Sequence, residues 1–252
     1  MVTVEVDAAV AGAARDALAR FGLPLHVVTG DGVLGCLDRA PYDRIKATCG
    51  MRSVPFAWVE QTRPGGLILL PWGTSYSHLD ATVRLAVAQD GQSASGPFLH
   101  PVEFMKLRAQ RVAWPEHTHY VPDDRVADAV RSSTSMTEDG FGVGQFEAAA
   151  FAVGLQVRGC VRAVADKRDG ARPVWFYSLT DRSWAVVMFR DQSQSATVHQ
   201  AGSRCLWNEV EAAWRWWDSH GRPGFERFGL TVTAEGQTAW LDAPVRPVPI
   251  VS

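Results

Sequence analysis

The sequence of 252 residues predicts an α/β fold whose carboxyl-terminal part forms a smaller α+β module. Residues 2–6 predict a strand, residues 8–20 an alanine-rich helix capped by Asp7, and residues 25–29 a second strand. This strand–helix–strand unit has the length that a right-handed parallel crossover needs. A glycine-rich turn at residues 30–32 follows the second strand, at the edge where such sheets bind ligands.

Carboxylates stand at the ends of both predicted strands. Glu5 ends the first strand, and Asp31 lies between Gly30 and Gly32 after the second. The glycines let the backbone pass close to a ligand. Two carboxylates at adjacent strand ends suit a nucleoside, which offers donors at its ribose hydroxyls and its adenine amino group. Asp7 is an alternative ribose ligand, because the pattern VEVD leaves the register open by two residues.

The motif APYD at residues 40–43 enters the next predicted strand. Thr48 and Cys49 then stand at the carboxyl end of that strand, facing the predicted pocket. Nothing near Cys49 in the sequence would lower its pKa, so the residue is not expected to act as a nucleophile.

A second turn motif, QTRPGG at residues 61–66, leads into an apolar strand at residues 67–71. Its proline and glycines predict a tight entry into the strand. We expect two further strands in this sheet, at residues 78–88 and 101–107, with a loop at residues 90–97.

In this order, the GDG, APYD and PGG motifs resemble those of the protein-L-isoaspartate O-methyltransferase family, whose members use S-adenosylmethionine (SAM). The resemblance covers roughly residues 1–110, which are therefore expected to form part of a Rossmann-like class I methyltransferase domain. It implies that the acidic residue of the first strand binds ribose, that the Asp of the GDG turn binds adenine, and that the next strand ends near the transferred methyl group. The cofactor-binding residues expected from it are Glu5, Gly30, Asp31, Gly32, Thr48 and Cys49.

The same resemblance leads us to look for the glycine-rich turn that holds the methionine end of SAM. Family members carry a glycine-rich GxGxG turn after a first strand, which lies centrally in the sheet and precedes the strand containing Glu5. This sequence begins at the second strand, so the sheet is expected to lack its first strand and to bind SAM weakly. A start site assigned too late and a genuine truncation both explain the pattern. Residues 140–144 (GFGVG) have the spacing but follow a polar segment, and are interpreted as a loop.

Residues 111–252 are expected to form the α+β extension, which resembles that of actinobacterial-type homologues. Some of those homologues act with ATP-grasp enzymes that mature ribosomal peptides, so the resemblance implies a peptide-maturation enzyme as a partner. Residues 123–135 predict a short helix, and residues 203–220 a longer one. The longer helix carries a stripe that predicts either core packing or a platform for a peptide, formed by Leu206, Val210, Trp214 and Trp217.

Composition excludes several classes of protein. A net charge of -2 argues against binding to nucleic acid or to a membrane surface. The four cysteines form no CxxC pair, which indicates reduced thiols rather than a disulfide framework or a zinc site. Glu116 and His119 have no further ligand nearby in the sequence, so no metal site is expected. The sequence shows neither a signal peptide nor a membrane span, and a cytoplasmic protein is expected.

The function expected from these features is SAM-dependent methyl transfer to a carboxylate oxygen of an aspartyl or isoaspartyl residue in a protein or peptide. Such a reaction needs positioning rather than a catalytic triad, and no catalytic residue is assigned. A non-catalytic module that binds a peptide or a partner enzyme is the alternative. A nicotinamide-dependent oxidoreductase is a third hypothesis, against which the GDG turn and the last strands of the sheet argue.

Overall fold

The computed structural model describes residues 1–122, 126–144 and 147–251. In chain order its elements are β1 (Val2–Glu5), α1 (Ala8–Arg20), β2 (His26–Thr29), β3 (Tyr42–Lys46), α2 (Phe56–Glu60), β4 (Thr62–Gly73), β5 (Asp80–Val87), β6 (Ser93–Val102), α3 (His117–Tyr120), β7 (Val130–Thr134), α4 (Glu138–Phe141), α5 (Ala148–Gln156), β8 (Cys160–Val164), β9 (Ala171–Ser178), β10 (Trp184–Arg190), β11 (Ala196–Ala201), α6 (Leu206–Ser219), β12 (Phe228–Thr233) and β13 (Gly236–Leu241).

The strands described form sheets of two, six and five strands. Strand β1 pairs only with β2, in parallel. The central sheet has the order β13-β12-β6-β5-β4-β3, and the third sheet has the order β7-β11-β10-β9-β8. The predicted mixed α/β class is confirmed. Within it, the strand ending in Glu5 stands apart from the sheet that contains β3.

The unit of β1, α1 and β2 forms as its local sequence predicts. The Asp7 carboxylate caps α1 by accepting hydrogen bonds from the N–H groups of Ala9 and Val10, at 3.0 and 3.2 Å. Ala11 is the one buried residue of this helix. The unit therefore owes its order mainly to local hydrogen bonding and to the β1–β2 pairing.

The central sheet joins the two halves of the sequence. Strand β3 runs parallel to β4, and β4, β5 and β6 form an antiparallel meander. The predicted loop at residues 90–97 is wrong from Ser93 onward, because these residues pair with both β5 and β12 and so satisfy their backbone groups within the sheet. Strand β12, from the carboxyl-terminal part, pairs with β6. The predicted domain boundary at residues 110 and 111 stays a prediction.

The third sheet is antiparallel and packs against α5 and α6 in the main core. The stripe Leu206, Val210, Trp214 and Trp217 is buried, which confirms the prediction of core packing. The helix predicted at residues 123–135 is wrong over much of its described part. Residues 130–134 form the edge strand β7, because pairing with β11 supplies their backbone hydrogen bonds. Residues 123–125 of that prediction lie outside the described residues.

A buried ion pair ties the sheet to the segments around it. Asp80, at the start of β5, is fully buried and pairs with Lys106, which follows β6. A Cβ atom at either Gly50 or Gly73 would collide with the Asp80 carboxylate, so both glycines allow the backbone to lie against it. Burial raises the pKa of Asp80 and lowers the pKa of Lys106, while the attraction between the two groups opposes both shifts.

Loss of Lys106 should therefore destabilise the protein more than loss of both charges. We expect Lys106→Met to lower the free energy of unfolding by about 3 kcal/mol, because it leaves the Asp80 carboxylate buried without its partner. The double variant Asp80→Asn, Lys106→Met should recover much of that loss, since no unpaired charge remains. Urea denaturation followed by circular dichroism measures both. A double variant no more stable than Lys106→Met would contradict the importance of the charge pairing.

Candidate functional site

The proposed nucleoside site begins where β1 and β2 end side by side. Glu5 and Thr29 are paired in register, and the N–H of Gly30 donates to the Glu5 carbonyl at 3.0 Å. This places the glycine-rich turn against the end of β1. The backbone geometry therefore confirms the prediction that Glu5 and the turn lie at the same end of two parallel strands.

Each of the two carboxylates uses one oxygen locally. Glu5 Oε1 accepts the N–H of Asp7 at 2.8 Å, and Asp31 Oδ1 accepts the N–H of Val33 at 2.9 Å. Among the residues that the structure describes, the second oxygen of each group accepts no hydrogen bond. Asp7 uses its own carboxylate to cap α1 and forms an ion pair with Arg108 at 3.7 Å, so Glu5 is the better acceptor for a ligand.

Open space surrounds the glycines of the turn. A Cβ atom at Gly32 would have no neighbour within 4 Å, and one at Gly30 would meet only the Val28 side chain at 4.0 Å. Acceptor oxygens beside an open backbone suit a ligand with several hydrogen-bond donors, such as the adenosine part of SAM. The residues present thus have the chemistry needed for that end of the cofactor.

Two side chains near helix α2 hold the turn in place. Trp58 Nε1 donates to the Gly32 carbonyl at 2.8 Å. The Gln61 side chain accepts the N–H of Cys36 at 2.8 Å and donates to the Leu34 carbonyl at 2.8 Å. The sequence analysis placed Gln61 in the QTRPGG turn and assigned neither residue this positioning role. The available signal was the presence of two side chains with N–H donors, Trp58 and Gln61, just before the PGG turn.

Tyr42, the first residue of β3, supports the same turn from the other side. Its hydroxyl donates to the Cys36 carbonyl at 2.7 Å. Burial, together with this hydrogen bond, raises the pKa of Tyr42 to about 12, so the hydroxyl stays a donor throughout the physiological range. The APYD motif therefore positions the turn as well as starting the strand.

The end of β3 lies within electrostatic reach of Glu5. Burial raises the pKa of the Cys49 thiol, and the Glu5 carboxylate raises it further. Cys49 is half-buried and Thr48 is exposed. The Glu5 carboxylate thus acts electrostatically on Cys49 although their strands belong to different sheets.

The segment GFGVG at residues 140–144 lies elsewhere. Gly140 belongs to α4, and Gly142 ends that helix with a φ of 75°. The Glu147 side chain packs where Cβ atoms of Gly142 and Gly144 would lie, and it accepts the N–H of Gly144 at 3.3 Å. The backbone of this segment is therefore occupied by the chain's own carboxylate.

Other site types find no support in the described ranges. They contain no group of three or more His, Cys, Asp or Glu residues that could hold a metal ion. Glu116 contacts His119 at 3.2 Å on the surface. No helix of the described chain is long and apolar enough to cross a membrane.

The proximity of Glu5 to Cys49 can be measured by thiol alkylation. Removing the negative charge in Glu5→Gln should lower the pKa of Cys49, which increases its thiolate fraction below that pKa. At pH 8 we expect iodoacetamide to modify Cys49 about twofold to threefold faster in Glu5→Gln than in the parent chain. Peptide mapping by mass spectrometry separates Cys49 from the other cysteines. Asp38→Asn is the matched control, and an equal acceleration in it would contradict a specific effect of Glu5.

Comparison with known proteins shows that part of the chain is similar to a methyltransferase family. Residues 1–110 match the family model described as protein-L-isoaspartate(D-aspartate) O-methyltransferase. A protein-L-isoaspartate O-methyltransferase of Shewanella amazonensis is 36% identical over 110 residues, which are 42% of this chain and 49% of that protein. One of Xanthobacter autotrophicus is 38% identical over 97 residues, 37% of this chain and 41% of that protein.

A solved structure titled protein-L-isoaspartate O-methyltransferase aligns with 96% of this chain and 68% of its own, at 18% identity and a TM-score of 0.48. The chain spans about half the length, 49%, of the Shewanella relative. The family match falls on the amino-terminal part that carries the GDG, APYD and PGG motifs. Over residues 1–110, the chain is similar to the protein-L-isoaspartate O-methyltransferase family.

Proposed function

We propose that this chain is a SAM-dependent carboxyl O-methyltransferase that acts on aspartyl or isoaspartyl residues of a protein or peptide. One observation carries the proposal. Two carboxylates, Glu5 and Asp31, lie beside an open glycine turn where two parallel strands end. The match of residues 1–110 to a methyltransferase family supports the same activity.

In this proposal each residue has a role that follows from its chemistry. Glu5 accepts hydrogen bonds from the ribose hydroxyls, and Asp31 accepts one from the adenine amino group. Gly30 and Gly32 leave room for the nucleoside. Thr48 and Cys49 line the pocket near the methyl group, where the Cys49 thiol contributes an uncharged wall.

Little further chemistry is required of the protein. When bound, SAM supplies an electrophilic methyl group, and the ionised carboxylate of the substrate is already a nucleophile. Glu5 and Asp31 would hold the nucleoside end of the cofactor, and the methyl group would pass to a carboxylate oxygen of the substrate near Thr48 and Cys49. The protein accelerates such a step by alignment and by exclusion of water, so no general base is assigned.

The second candidate is a non-catalytic module that binds a peptide or a partner enzyme. It is favoured by the Glu147 side chain, which packs against the glycines of the GFGVG segment.

The proposal has three further parts. They are two domains at residues 1–110 and 111–252, a peptide-maturation enzyme as partner, and a cytoplasmic location. These three statements rest on the resemblance of the sequence to its relatives.

Calorimetric titration with SAM tests the cofactor assignment. We expect binding weaker than micromolar, and about tenfold weaker again in Asp31→Asn, because a charged acceptor is replaced by a neutral amide. Asparagine still caps the short helical turn at residues 32–34, so the fold should be unchanged. Asp38→Asn serves as the control and should bind like the parent chain. Equal affinities for all three chains would contradict the role of Asp31.

The activity is tested separately by methyl transfer. An isoaspartyl peptide incubated with SAM and this chain should release base-labile methanol, and Glu5→Gln should reduce the rate about tenfold through loss of ribose contacts. The matched aspartyl peptide shows which residue is preferred. A chain that binds SAM but yields no methyl ester on either peptide would overturn the enzyme proposal in favour of the binding module.

A further inference from the structure

Two adjoining cavities with basic side chains lie beside the central sheet. One cavity of about 360 Å³ is lined by His78, Glu103, Trp114 and Arg162 among others. A second of about 310 Å³ is lined by residues that include Arg52, Lys106 and Arg111. The two cavities share His78 and Glu103 and therefore lie side by side, and together they are called the cationic cleft.

Three arginines are held along this cleft by hydrogen bonds to the chain. Arg52 donates from Nη1 to the Gln110 carbonyl at 2.7 Å. Arg111 donates from Nε to the Lys106 carbonyl at 3.2 Å. Arg162 donates from Nη1 to the Gly142 carbonyl at 3.1 Å and lies 5.7 Å from the centre of the Tyr76 ring. Each guanidinium has five N–H donors, so these bonds hold the side chains while leaving donors for a ligand.

The charge of the cleft is predominantly positive. Lys106 adds a fourth cation, although its charge is paired with Asp80 beneath the cleft floor. Glu103 is the acidic residue of the lining, and its charge acts on both Asp80 and Lys106. Buried Arg52 Nε has no hydrogen-bond partner among the described residues, which is costly unless a ligand or water supplies one.

Aromatic side chains form the middle of the cleft wall. The His78 ring stacks on the Trp114 ring, with centroids 5.1 Å apart and planes 12° from parallel. Trp114 remains 50% exposed and Phe104 41% exposed. Exposed aromatic faces next to anchored arginines form a surface that binds both apolar and anionic groups of a ligand.

We propose that this cleft binds an acidic peptide segment through its carboxylates. Each cavity is in the size range of sites for small organic ligands, and their union is too large for a single inorganic anion. Arginines at separate points along the cleft suit carboxylates spaced along a chain, with apolar groups between them against the aromatic wall. The net charge of -2 for the whole chain disfavours a nucleic acid as occupant.

The cleft also leads toward the proposed methyl-transfer site. The N–H of Gly50 donates to the Met105 carbonyl at 2.8 Å, and the N–H of Leu107 donates to the Gly50 carbonyl at 2.9 Å. This pairing sets Lys106 beside the residue that follows Cys49. A bound acidic segment could thus present a carboxylate near Cys49. That orientation rests on the proposed function, whereas binding of the peptide does not.

The test measures binding without SAM. An acetylated, amidated hexapeptide of alternating aspartate and glutamate is titrated calorimetrically into the parent chain, alongside its asparagine and glutamine counterpart. We expect only the acidic peptide to bind, with affinity falling as salt rises from about 50 to 200 mM. Arg52→Gln and Arg111→Gln should each weaken binding about tenfold through loss of a charge-assisted hydrogen bond. Arg84→Gln, an exposed change on β5 away from the cleft, should bind like the parent chain.

Thermal unfolding of each variant confirms that it is folded, and exposed Arg111 remains informative if the half-buried Arg52 is needed for stability. Equal binding of the neutral peptide, no binding of the acidic one, or an equal loss in Arg84→Gln would overturn the proposal. Inorganic phosphate or polyadenylate binding more tightly than the peptide would also overturn it, in favour of a simple anion site or a nucleic-acid site. Peptide binding without methyl transfer would support the cleft while counting against the proposed activity.

Discussion

The buried Asp80–Lys106 ion pair is the interaction that fixes the backbone between the end of β3 and the cationic cleft. A carboxylate removed from water requires a compensating charge, and Lys106 supplies it from the segment after β6. Gly50 and Gly73 lie against that carboxylate because neither carries a side chain. The pair therefore sets the path of the backbone after β3. That backbone carries Cys49, and Lys106 of the pair lines the cationic cleft.

The proposed nucleoside site depends on a different kind of support. Its turn follows β2, but the side chains that hold it, Trp58 and Gln61, come from the region of α2. Tyr42 at the start of β3 adds a further hydrogen bond. Because β1 and β2 form a sheet separate from β3, these bonds are part of what joins the first unit to the central sheet. The turn that carries Asp31 is thus held by neighbouring side chains as well as by its own backbone.

Local sequence signals predicted local structure well. Asp7 as a cap, the span of α1 and the strand ending in Glu5 follow from hydrogen bonding within a few residues. The start of β6 and the strand β7 were predicted wrongly, since partners distant in sequence supply their hydrogen bonds. For the site, sequence motifs gave Glu5 and the GDG turn, while the closeness of Cys49 to Glu5 required the packing of β3.

The sequence by itself determined the motifs, the capped helix and the match of residues 1–110 to a family model, because each depends on residues close together in the chain. Only the tertiary structure decided that β12 completes the central sheet and that Arg52, His78, Trp114 and Arg162 line one cleft. Those residues carry no common motif. Burial of apolar surface and pairing of backbone groups bring them together, and both are properties of the whole chain rather than of any segment.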